Sequence, residues 1–466
     1  MFTYTFENNT KESMHIRLYT CIKEDILNGK LQQGEKLPSK RSAAKHLGVS
    51  VITIENAYGA LQSEGYIYSL PKKGFFVSEI SKLYHSEKQP VTTGEFAPAV
   101  LTKYRYDFAS NGMIADNFPF SVWAKLIRGT FHYAKEDLIS PSPSGGIEVL
   151  KQAICEHLKQ FRGMDTVPSQ IIIGAGTEYL YSLLIQLLGG SACYALPNPG
   201  YAKIAKIYQS VGVKTVFIPE DNNGLRADML QTSGADVVHI SPSHSFPSGK
   251  VMPISRRHEL LNWANESENR YIIDDDYDAE FRLSGKPLPT LQSLDSGDKV
   301  IYINTFTKSL SPTIRISYMV LPNSLSEVFY RKLGFYSCTV SNFEQYTLAD
   351  FIREGYFEKH INRMRNYYKK IRNTLLLEIK SSPLAAISEV AEAKAGLHFL
   401  LKLDTDIPDA VLKQKAADAG IHISFLSEYY HPDTAHIPAH VIVMNYSKLR
   451  REEIPDAIRA LETVIV

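Results

Sequence analysis

The sequence predicts an α/β protein whose main part is a mostly parallel sheet with helices on both faces. Short apolar segments bounded by Gly, Pro or Asp recur from residue 105 onward, and helical patterns separate several of them. Such alternation is typical of parallel strands joined by crossover helices. With 466 residues, of which 44% are hydrophobic, the chain is long enough for roughly two to four domains.

Composition and charge exclude several classes of protein. The net charge is +1, so any site for a polyanion must be local. The four cysteines are far apart and form no CxxC pair, which argues against a zinc site or a disulfide framework. No apolar run approaches the roughly 18 residues that a membrane helix needs. We therefore expect a cytoplasmic protein with no metal site and no membrane contact.

Residues 1–78 carry short helical patterns that end in a basic turn. In "LPSKRSAAKHLGVSVITIENAYGALQ", Ser39 and Ser50 are plausible caps for two successive helices, and Gly48 ends the first. The second helix has apolar residues at helical spacing: Ile54, Ala57, Tyr58 and Leu61. Two short helices joined by a tight turn form a helix-turn-helix. The following "YIYSLPKKGFFV" predicts two strands around a basic turn, which is a wing.

A linker and a large domain follow. Residues 79–104 are polar, contain two prolines and show no sustained period, which predicts a linker. Residues 105–466 form the large domain, and its final part, about 365–466, is predicted as an α+β subdomain that begins with a basic helix. The predicted strands are "QIIIGAG", "ACYALPNPG", "KTVFIPE", "DVVHISP", "RYIIDDDY" and "VIYINTF".

The segment "IIIGAGTEYL" predicts a phosphate site. Its strand ends at Gly174, and Gly176 and Thr177 open a helix whose free amides and dipole favour an anion. A dinucleotide site is the obvious alternative, but Tyr179 stands where the G-x-G-x-x-G pattern requires its third glycine. The dinucleotide interpretation is therefore weak.

In "YIIDDDYDAEF" three carboxylates, Asp274, Asp275 and Asp276, end an apolar strand. Ligands bind at the carboxyl ends of strands in α/β sheets. An aspartate there can pair with a protonated ring nitrogen, and Tyr277 can donate to a ring oxygen. A metal site, or a turn with a helix cap, is the alternative use of these aspartates.

In "TFTKSLSPTIR" a lysine follows an apolar strand directly. The amine of Lys308 can form a Schiff base with an aldehyde cofactor, and Thr305, Thr307 and Arg315 could then hold its phosphate. The alternative is a solvated surface charge, which is the usual state of an isolated lysine. The loops "HISPSHSFPSGKVMP" and "NPGYAKIAK" are further candidates, and Tyr201 could stack on an aromatic cofactor.

The N-terminal segment resembles the GntR-type winged helix, whose pattern is matched from "GEKLPSKR" through "LGVS" and "EGY" to "KKGFFV". The resemblance implies DNA contacts from the first helix, the start of the recognition helix and the wing: Ser39, Lys40, Arg41, Ser50, Thr53, Lys72, Lys73 and Gly74. One departure is Val51, because the family usually has arginine there. The operator is therefore expected to differ or to bind more weakly.

The large domain resembles the fold-type I pyridoxal-phosphate enzymes, which share the aspartate aminotransferase-like fold. Together with the winged helix it resembles the MocR/GabR family of transcription regulators. The strings "PSHSFPSG", "RYIIDDDYDAEF" and "TFTKSLSPTIRISYMVLP" carry this resemblance. It implies that Lys308 binds the aldehyde carbon and that Asp275, 33 residues earlier, pairs with the pyridine nitrogen. The other implied cofactor contacts are Tyr277, Tyr201, Gly176, Thr177, Thr305, Thr307 and Arg315.

Two lysines stand where GABA-responsive members have arginines that grip the substrate carboxylate. These are Lys203, in "PGYAK", and Lys448, in "NYSKL". Lysine keeps the charge but lacks the planar fork, so the resemblance implies an effector other than GABA.

The resemblance thus implies a homodimeric, head-to-tail regulator that binds operator DNA. It would sense a small amine or amino acid, or the level of pyridoxal phosphate, by aldimine exchange at Lys308. The alternative is an active aminotransferase with a vestigial DNA-binding domain.

Overall fold

The computed structural model describes residue 4 and residues 12–79, 103–283, 288–391 and 395–466. The chain divides into two units, residues 1–100 and 101–466. The predicted linker, 79–104, lies outside the described residues except for residues 79, 103 and 104. No helix in the described part of the chain is long and apolar enough to cross a membrane.

The N-terminal unit is a winged helix-turn-helix, as predicted. Its elements are α1 (Met14–Leu27), α2 (Lys40–Leu47), α3 (Val51–Ser63) and an antiparallel pair, β1 (Ile67–Leu70) and β2 (Gly74–Val77). Both predicted caps form: Ser39 Oγ accepts from the Ser42 amide at 3.2 Å, and Ser50 Oγ accepts from the Thr53 amide at 3.0 Å. Gly48 ends α2 in the left-handed conformation, with φ 66°.

One face of each helix forms the core of this unit. Leu18 and Ile22 of α1 pack with Ile54 and Tyr58 of α3, and all four are fully buried. The Tyr58 hydroxyl donates to the Pro38 carbonyl at 3.0 Å, which ties α3 to the start of α2. The periodicity read from the sequence therefore places the core face of α3 correctly.

The large unit contains a central eight-stranded sheet and smaller sheets. Its strands are β3 (Tyr106–Asp107), β4 (Ile171–Gly174), β5 (Cys193–Asn198), β6 (Lys214–Asp221), β7 (Gly224–Leu225), β8 (Val237–Ile240), β9 (Tyr271–Asp275), β10 (Val300–Thr305), β11 (Ser317–Val320), β12 (Ser388–Ala391), β13 (His398–Leu403), β14 (Ile421–His422) and β15 (Val441–Asn445). The central order is β4-β11-β10-β9-β8-β5-β6-β7. Strands β6, β5, β8, β9 and β10 run parallel to one another, whereas β11 pairs antiparallel with both β10 and β4, and β7 pairs antiparallel with β6. The prediction of a mostly parallel sheet is confirmed.

Helices cover both faces of the central sheet. The helices of the large unit are α4 (Phe120–Tyr133), α5 (Lys135–Ile139), α6 (Glu148–Arg162), α7 (Thr177–Leu188), α8 (Ala202–Ser210), α9 (Ala227–Thr232), α10 (Ile254–Asn265), α11 (Leu291–Leu294), α12 (Phe306–Ser309), α13 (Asn323–Leu333), α14 (Asn342–Arg353), α15 (Tyr356–Ser381), α16 (Leu384–Ile387), α17 (Asp409–Asp418) and α18 (Ile454–Ile465). Side chains alternate along β4: Ile171 and Ile173 pack with residues of α6 and α14, whereas Ile172 packs with residues of α7 and α13.

The C-terminal part has its own core. Strands β12, β13 and β15 form an antiparallel sheet. Helix α15 is shared, because Phe357 and Ile361 pack in the core of the central sheet while Met364 and Tyr368 pack in the C-terminal core. The change of core thus falls close to the predicted boundary at about residue 365. The sequence did not predict that β3, some 300 residues earlier, pairs with β14 in this part.

A buried ion pair anchors the end of β9. Arg162, the last residue of α6, contacts Asp276, and both side chains are almost fully buried. Asp276 Oδ2 also accepts from the Tyr302 hydroxyl at 3.0 Å. The strand end that carries the three aspartates is therefore fixed from the face covered by α6.

We expect Arg162→Met to lower the free energy of unfolding of the large unit by about 3–5 kcal/mol, because it leaves the buried Asp276 carboxylate unpaired. Chemical unfolding followed by tryptophan fluorescence measures this. The matched control is Arg459→Met, which breaks the exposed pair with Asp456 and should cost less than about 1 kcal/mol. Equal losses in the two variants would contradict the structural role of Arg162.

Candidate functional site

A cavity of about 570 Å³ opens at the carboxyl ends of the parallel strands. The predicted residues that line it are Thr177, Tyr201, Lys203, Asp275, Tyr277, Thr305, Thr307, Lys308 and Arg315. Strands β9 and β10 are parallel, with Asp275 opposite Ile303, so their ends meet at one edge of the sheet. The topology therefore brings together residues that are more than 100 positions apart in the sequence.

Lys308 lies in α12, the short turn that directly follows β10. Thr305 Oγ1 accepts from the Thr307 amide at 3.1 Å and from the Ser317 hydroxyl at 2.7 Å, which fixes the start of this turn. Burial lowers the pKa of Lys308 to about 8, although the Asp278 carboxylate opposes the shift. A solvated surface charge does not fit this burial, and the neutral amine needed for a nucleophile is accessible near neutral pH.

Of the three consecutive aspartates, Asp275 is the one that lines the cavity. Its Oδ2 accepts from the Tyr181 hydroxyl at 2.5 Å and lies 3.2 Å from His239 Nε2. His239 Nδ1 is in turn 2.7 Å from the Tyr208 hydroxyl. Asp275 Oδ1 is buried and has no hydrogen-bond partner among the described residues. One oxygen of this carboxylate is thus anchored and the other is available to a ligand.

The two neighbouring aspartates point away from the cavity. Asp274 Oδ2 accepts from the Leu291 amide at 3.0 Å, and Asp276 binds Arg162. Burial, together with the nearby Asp276 carboxylate, raises the pKa of Asp274 to about 7. Within the described ranges, no group of three or more His, Cys, Asp or Glu side chains could hold a metal ion. The three carboxylates therefore have separate structural environments.

Tyr277 belongs to a buried polar cluster beside Lys308. Its hydroxyl lies 3.2 Å from His244 Nδ1, and the same nitrogen lies 2.8 Å from Asp278 Oδ2. The ring of His398 packs on His244 at 4.5 Å between centroids. Burial, reinforced by the charge of Asp278, raises the pKa of Tyr277, so its hydroxyl stays protonated and can donate a hydrogen bond.

The predicted phosphate site lies at the start of α7. Gly176 has φ 95°, and a Cβ atom there would collide with the guanidinium of Arg315, so only glycine allows this approach. Thr177 opens the helix with its free amides. Arg315 Nη2 is 3.6 Å from Glu178 Oε1 and about half exposed, so the guanidinium can turn toward an anion.

The two lysines predicted to bind an effector lie in different places. Lys203 lines the cavity and forms an ion pair with Glu178. Lys448 does not line it: its Nζ is 2.9 Å from Asp107 Oδ2. Although burial alone would raise the pKa of Asp107, hydrogen bonds from the Ser110 amide and the Lys448 ammonium lower it to about 2. A carboxylate that is charged at neutral pH therefore holds Lys448, and the geometry does not place this lysine in the cavity.

The predicted DNA contacts lie on the surface of the N-terminal unit. Arg41, Ser39, Ser50, Lys72 and Lys73 are exposed, and Thr53 and Gly74 are half-buried. Lys40 is engaged within the unit, because its Nζ is 2.6 Å from Glu55 Oε1. The wing turns through positive φ at Lys72 (63°) and Gly74 (108°), which directs the lysines outward.

Comparison with known proteins decides the family. The model of "Bacterial regulatory proteins, gntR family" matches residues 16–77, and that of "Aminotransferase class I and II" matches residues 106–431. YdeL, an uncharacterized HTH-type transcriptional regulator of Bacillus subtilis (strain 168), is 36% identical over 98% of each chain. The probable rhizopine catabolism regulatory protein MocR of Rhizobium meliloti is 30% identical over 97% of this chain and 94% of its own. The chain belongs to the MocR/GabR family of transcription regulators.

The large unit of this MocR/GabR-family regulator has the fold of solved aminotransferases. A crystal structure of Pyrococcus horikoshii kynurenine aminotransferase, in complex with PMP, superposes with a TM-score of 0.68. The two share 22% identity, and the match covers 78% of this chain and 91% of that one. At this identity the likeness shows the fold, and it confirms the predicted fold-type I architecture.

The sequence did not identify the residues that hold Asp275. Tyr181, Tyr208 and His239 come from α7, α8 and β8, and no local spacing links them. One signal was present, because His239 is a polar residue within the apolar strand "DVVHISP". A buried histidine in a parallel strand needs a polar partner, and here the partner is the Asp275 carboxylate, which lines the cavity.

Because the pKa of Lys308 is lowered, the rate at which this lysine reacts with an aldehyde should depend on pH in this MocR/GabR-family regulator. Lys308 is charged below pH about 8 and neutral above it, so its reaction with an added aromatic aldehyde should accelerate with pH and reach half of its maximal rate near pH 8. The rate is measured by imine absorbance on protein freed of bound carbonyl compounds. Lys203→Ala should keep this profile and Lys308→Arg should lose it. A midpoint near 10.5, the ordinary value for lysine, would contradict the burial of Lys308.

Proposed function

We propose that this regulator uses pyridoxal phosphate to sense an amine or amino acid and binds operator DNA through its N-terminal unit. The observation that carries the proposal is one cavity lined by two groups: Lys308, a half-buried amine with a depressed pKa, and Asp275, a buried carboxylate whose Oδ1 has no hydrogen-bond partner among the described residues. A metabolite-binding surface without covalent chemistry would not need an amine of lowered pKa in the same cavity as such a carboxylate.

The residues present fit the cofactor. Asp275 Oδ1 would accept from the protonated pyridine nitrogen, and the hydrogen bonds from Tyr181 and His239 hold the carboxylate in place for this. Tyr277 would donate to the ring oxygen, since its pKa is raised. When bound, pyridoxal phosphate supplies an aldehyde that condenses reversibly with primary amines, including that of Lys308.

The opposite end of the cavity would take the phosphate. Gly176 leaves room for the approach, the start of α7 offers free amides, and Arg315 offers a guanidinium. Thr305 and Thr307 contribute mainly by shaping the turn that carries Lys308, because their hydroxyls already bond Ser317 and the Ile314 carbonyl. In this proposal the phosphate draws Arg315 away from Glu178.

The remaining space would accept the effector. Five aromatic side chains are among the residues that line the cavity: Tyr201, Phe217, Phe246, Tyr429 and Tyr430. Lys203 is the cation placed to pair with an effector carboxylate, once its ion pair with Glu178 opens. An amine that carries an apolar or aromatic group fits this wall better than a compact dicarboxylate.

Sensing requires that the effector prefer one of two states of the protein. With the cofactor bound, an added amine would compete with the Lys308 amine for its aldehyde, and a free Lys308 amine near Asp278 would give the two states different charges. The change in DNA affinity can be no larger than the difference in effector affinity between the two states.

Lys308→Ala tests the covalent step. The variant should lose the visible absorption band of the lysine-bound cofactor, because no side-chain amine remains at that position, and its DNA affinity should no longer respond to added amines. Lys203→Ala is the matched control. It should keep the absorption band, and a higher concentration of a carboxylate-bearing effector should be needed for the same change in DNA affinity. Persistence of the band in Lys308→Ala would place the covalent attachment elsewhere and end the proposal.

An active aminotransferase is the second candidate, favoured by the completeness of the Lys308 and Asp275 arrangement. Incubation with amino donors and keto acceptors, followed through both half-reactions, separates the two. If the protein is a regulator, we expect at most a single turnover, and we expect the protein to retard operator DNA in a gel. Steady turnover without DNA binding would favour the enzyme.

A further inference from the structure

Helix α3 has an outward face with a distinct composition. Its buried face is formed by Ile54, Ala57, Tyr58 and Leu61. The opposite face carries Ile52, Asn56 and Gly59, which lie on one side because they follow the spacing i, i+4, i+7. All three are exposed, and the Ser50 cap fixes the start of the helix beside them. This face is therefore not part of the core of the N-terminal unit.

Ile52 is an aliphatic side chain held in solvent. It is 67% exposed, and the adjacent Val51 is 43% exposed. The first residues of a recognition helix contact base edges in the major groove. The apolar feature of that groove is the C5 methyl group of thymine, which aliphatic side chains contact. An exposed isoleucine at this position can contact the thymine methyl group, but it has no donor for the acceptors on the guanine edge.

Asn56 lies one turn further along the same face. Its side chain makes no hydrogen bond with any described residue of the chain. An asparagine amide in the major groove pairs with the N6 and N7 positions of adenine. Ile52 and Asn56 are about 6 Å apart along the helix axis, which is less than two base steps of about 3.4 Å.

Gly59 has no structural reason to be glycine. A Cβ atom built there meets nothing within 4 Å, and its φ is not positive. Glycine in a helix interior destabilises the helix relative to alanine. No neighbouring atom of the chain requires glycine at this exposed position. The missing side chain would, however, let the backbone of another molecule approach closely. The exposed Arg41 of α2 and the exposed Lys72 and Lys73 of the wing give the same unit positive charge that can pair with a phosphate backbone.

From these observations we propose that the outward face of α3 reads an A·T element of at most two base pairs. Ile52 contacts a thymine methyl group, Asn56 pairs with adenine, and Gly59 lets the helix backbone approach a phosphate. This inference rests on the proposed binding of operator DNA and specifies the chemistry of the sequence that is read.

The test uses the full-length protein with its cofactor. Duplexes are selected from a random library, and each thymine of the selected site is replaced in turn by uracil, which lacks only the C5 methyl group. At one thymine we expect about a fourfold loss of affinity, as for one buried methyl-sized group. In Ile52→Ala the difference between thymine and uracil should almost disappear. Ile16→Ala removes an aliphatic side chain of α1 that is 44% exposed, and it should retain the fourfold effect.

Asn56→Ala should lose between about fivefold and 150-fold in its preference for adenine at a position within one step of that thymine. Gly59→Ala should weaken binding to every duplex alike while raising the unfolding temperature of the N-terminal unit. Unchanged affinity in Gly59→Ala would overturn the proposed close approach.

Two failures are distinguishable. If no duplex is enriched, DNA binding itself fails, and the inference fails with it. If a duplex is enriched and bound but uracil is tolerated at every position, or its effect is the same in Ile52→Ala, the reading of thymine is overturned while DNA binding stands.

Discussion

The parallel register of β9 and β10 is the constraint on which the site depends. Asp275 lies opposite Ile303, so the carboxylate and the turn that carries Lys308 emerge at the same edge of the sheet. A shift of one residue would turn Asp275 away and present Asp274 or Asp276 to the cavity. The Leu291 amide and Arg162 bind these two neighbours on the other face, so both contacts oppose such a shift. The contacts of Asp274 and Asp276 on the other face of the strand therefore keep Asp275 directed toward the cavity.

Electrostatics in the cavity follow from this placement. Burial makes an uncompensated charge costly. Asp275 is held by Tyr181 and His239, whereas burial lowers the pKa of Lys308 and the Asp278 carboxylate opposes that shift. A carboxylate held by two hydrogen-bond partners and an amine of lowered pKa thus line the same cavity, and the proposed cofactor, which has a ring nitrogen and an aldehyde, would complement both.

Local features of the chain were predictable because they depend on neighbouring residues. The caps at Ser39 and Ser50, the end of α2 at Gly48 and the strand before Asp275 all appear in the structure where the sequence placed them. Contacts between distant segments were not predictable. The sequence shows His239 as a polar residue in an apolar strand, but no local spacing links it to Asp275, its partner in the structure.

Lys448 is an example of such a contact between distant segments. Its position in "NYSKL" predicts, through the family resemblance, that it binds the carboxylate of an effector. In the structure it binds the carboxylate of Asp107 in its own chain. The partner comes from β3, a two-residue strand that pairs with β14. Such a short strand has no periodicity, so the competing partner of Lys448 could not be seen before the fold was known.

Helix α15 gives the large unit a mechanical property of its own. Its 26 residues form one uninterrupted rod, about 39 Å long, whose first turns belong to the core of the central sheet and whose later turns belong to the C-terminal core. If either core unfolds, α15 loses part of its packing, and the other core depends on the same helix. We therefore expect the two parts to unfold together as one cooperative unit.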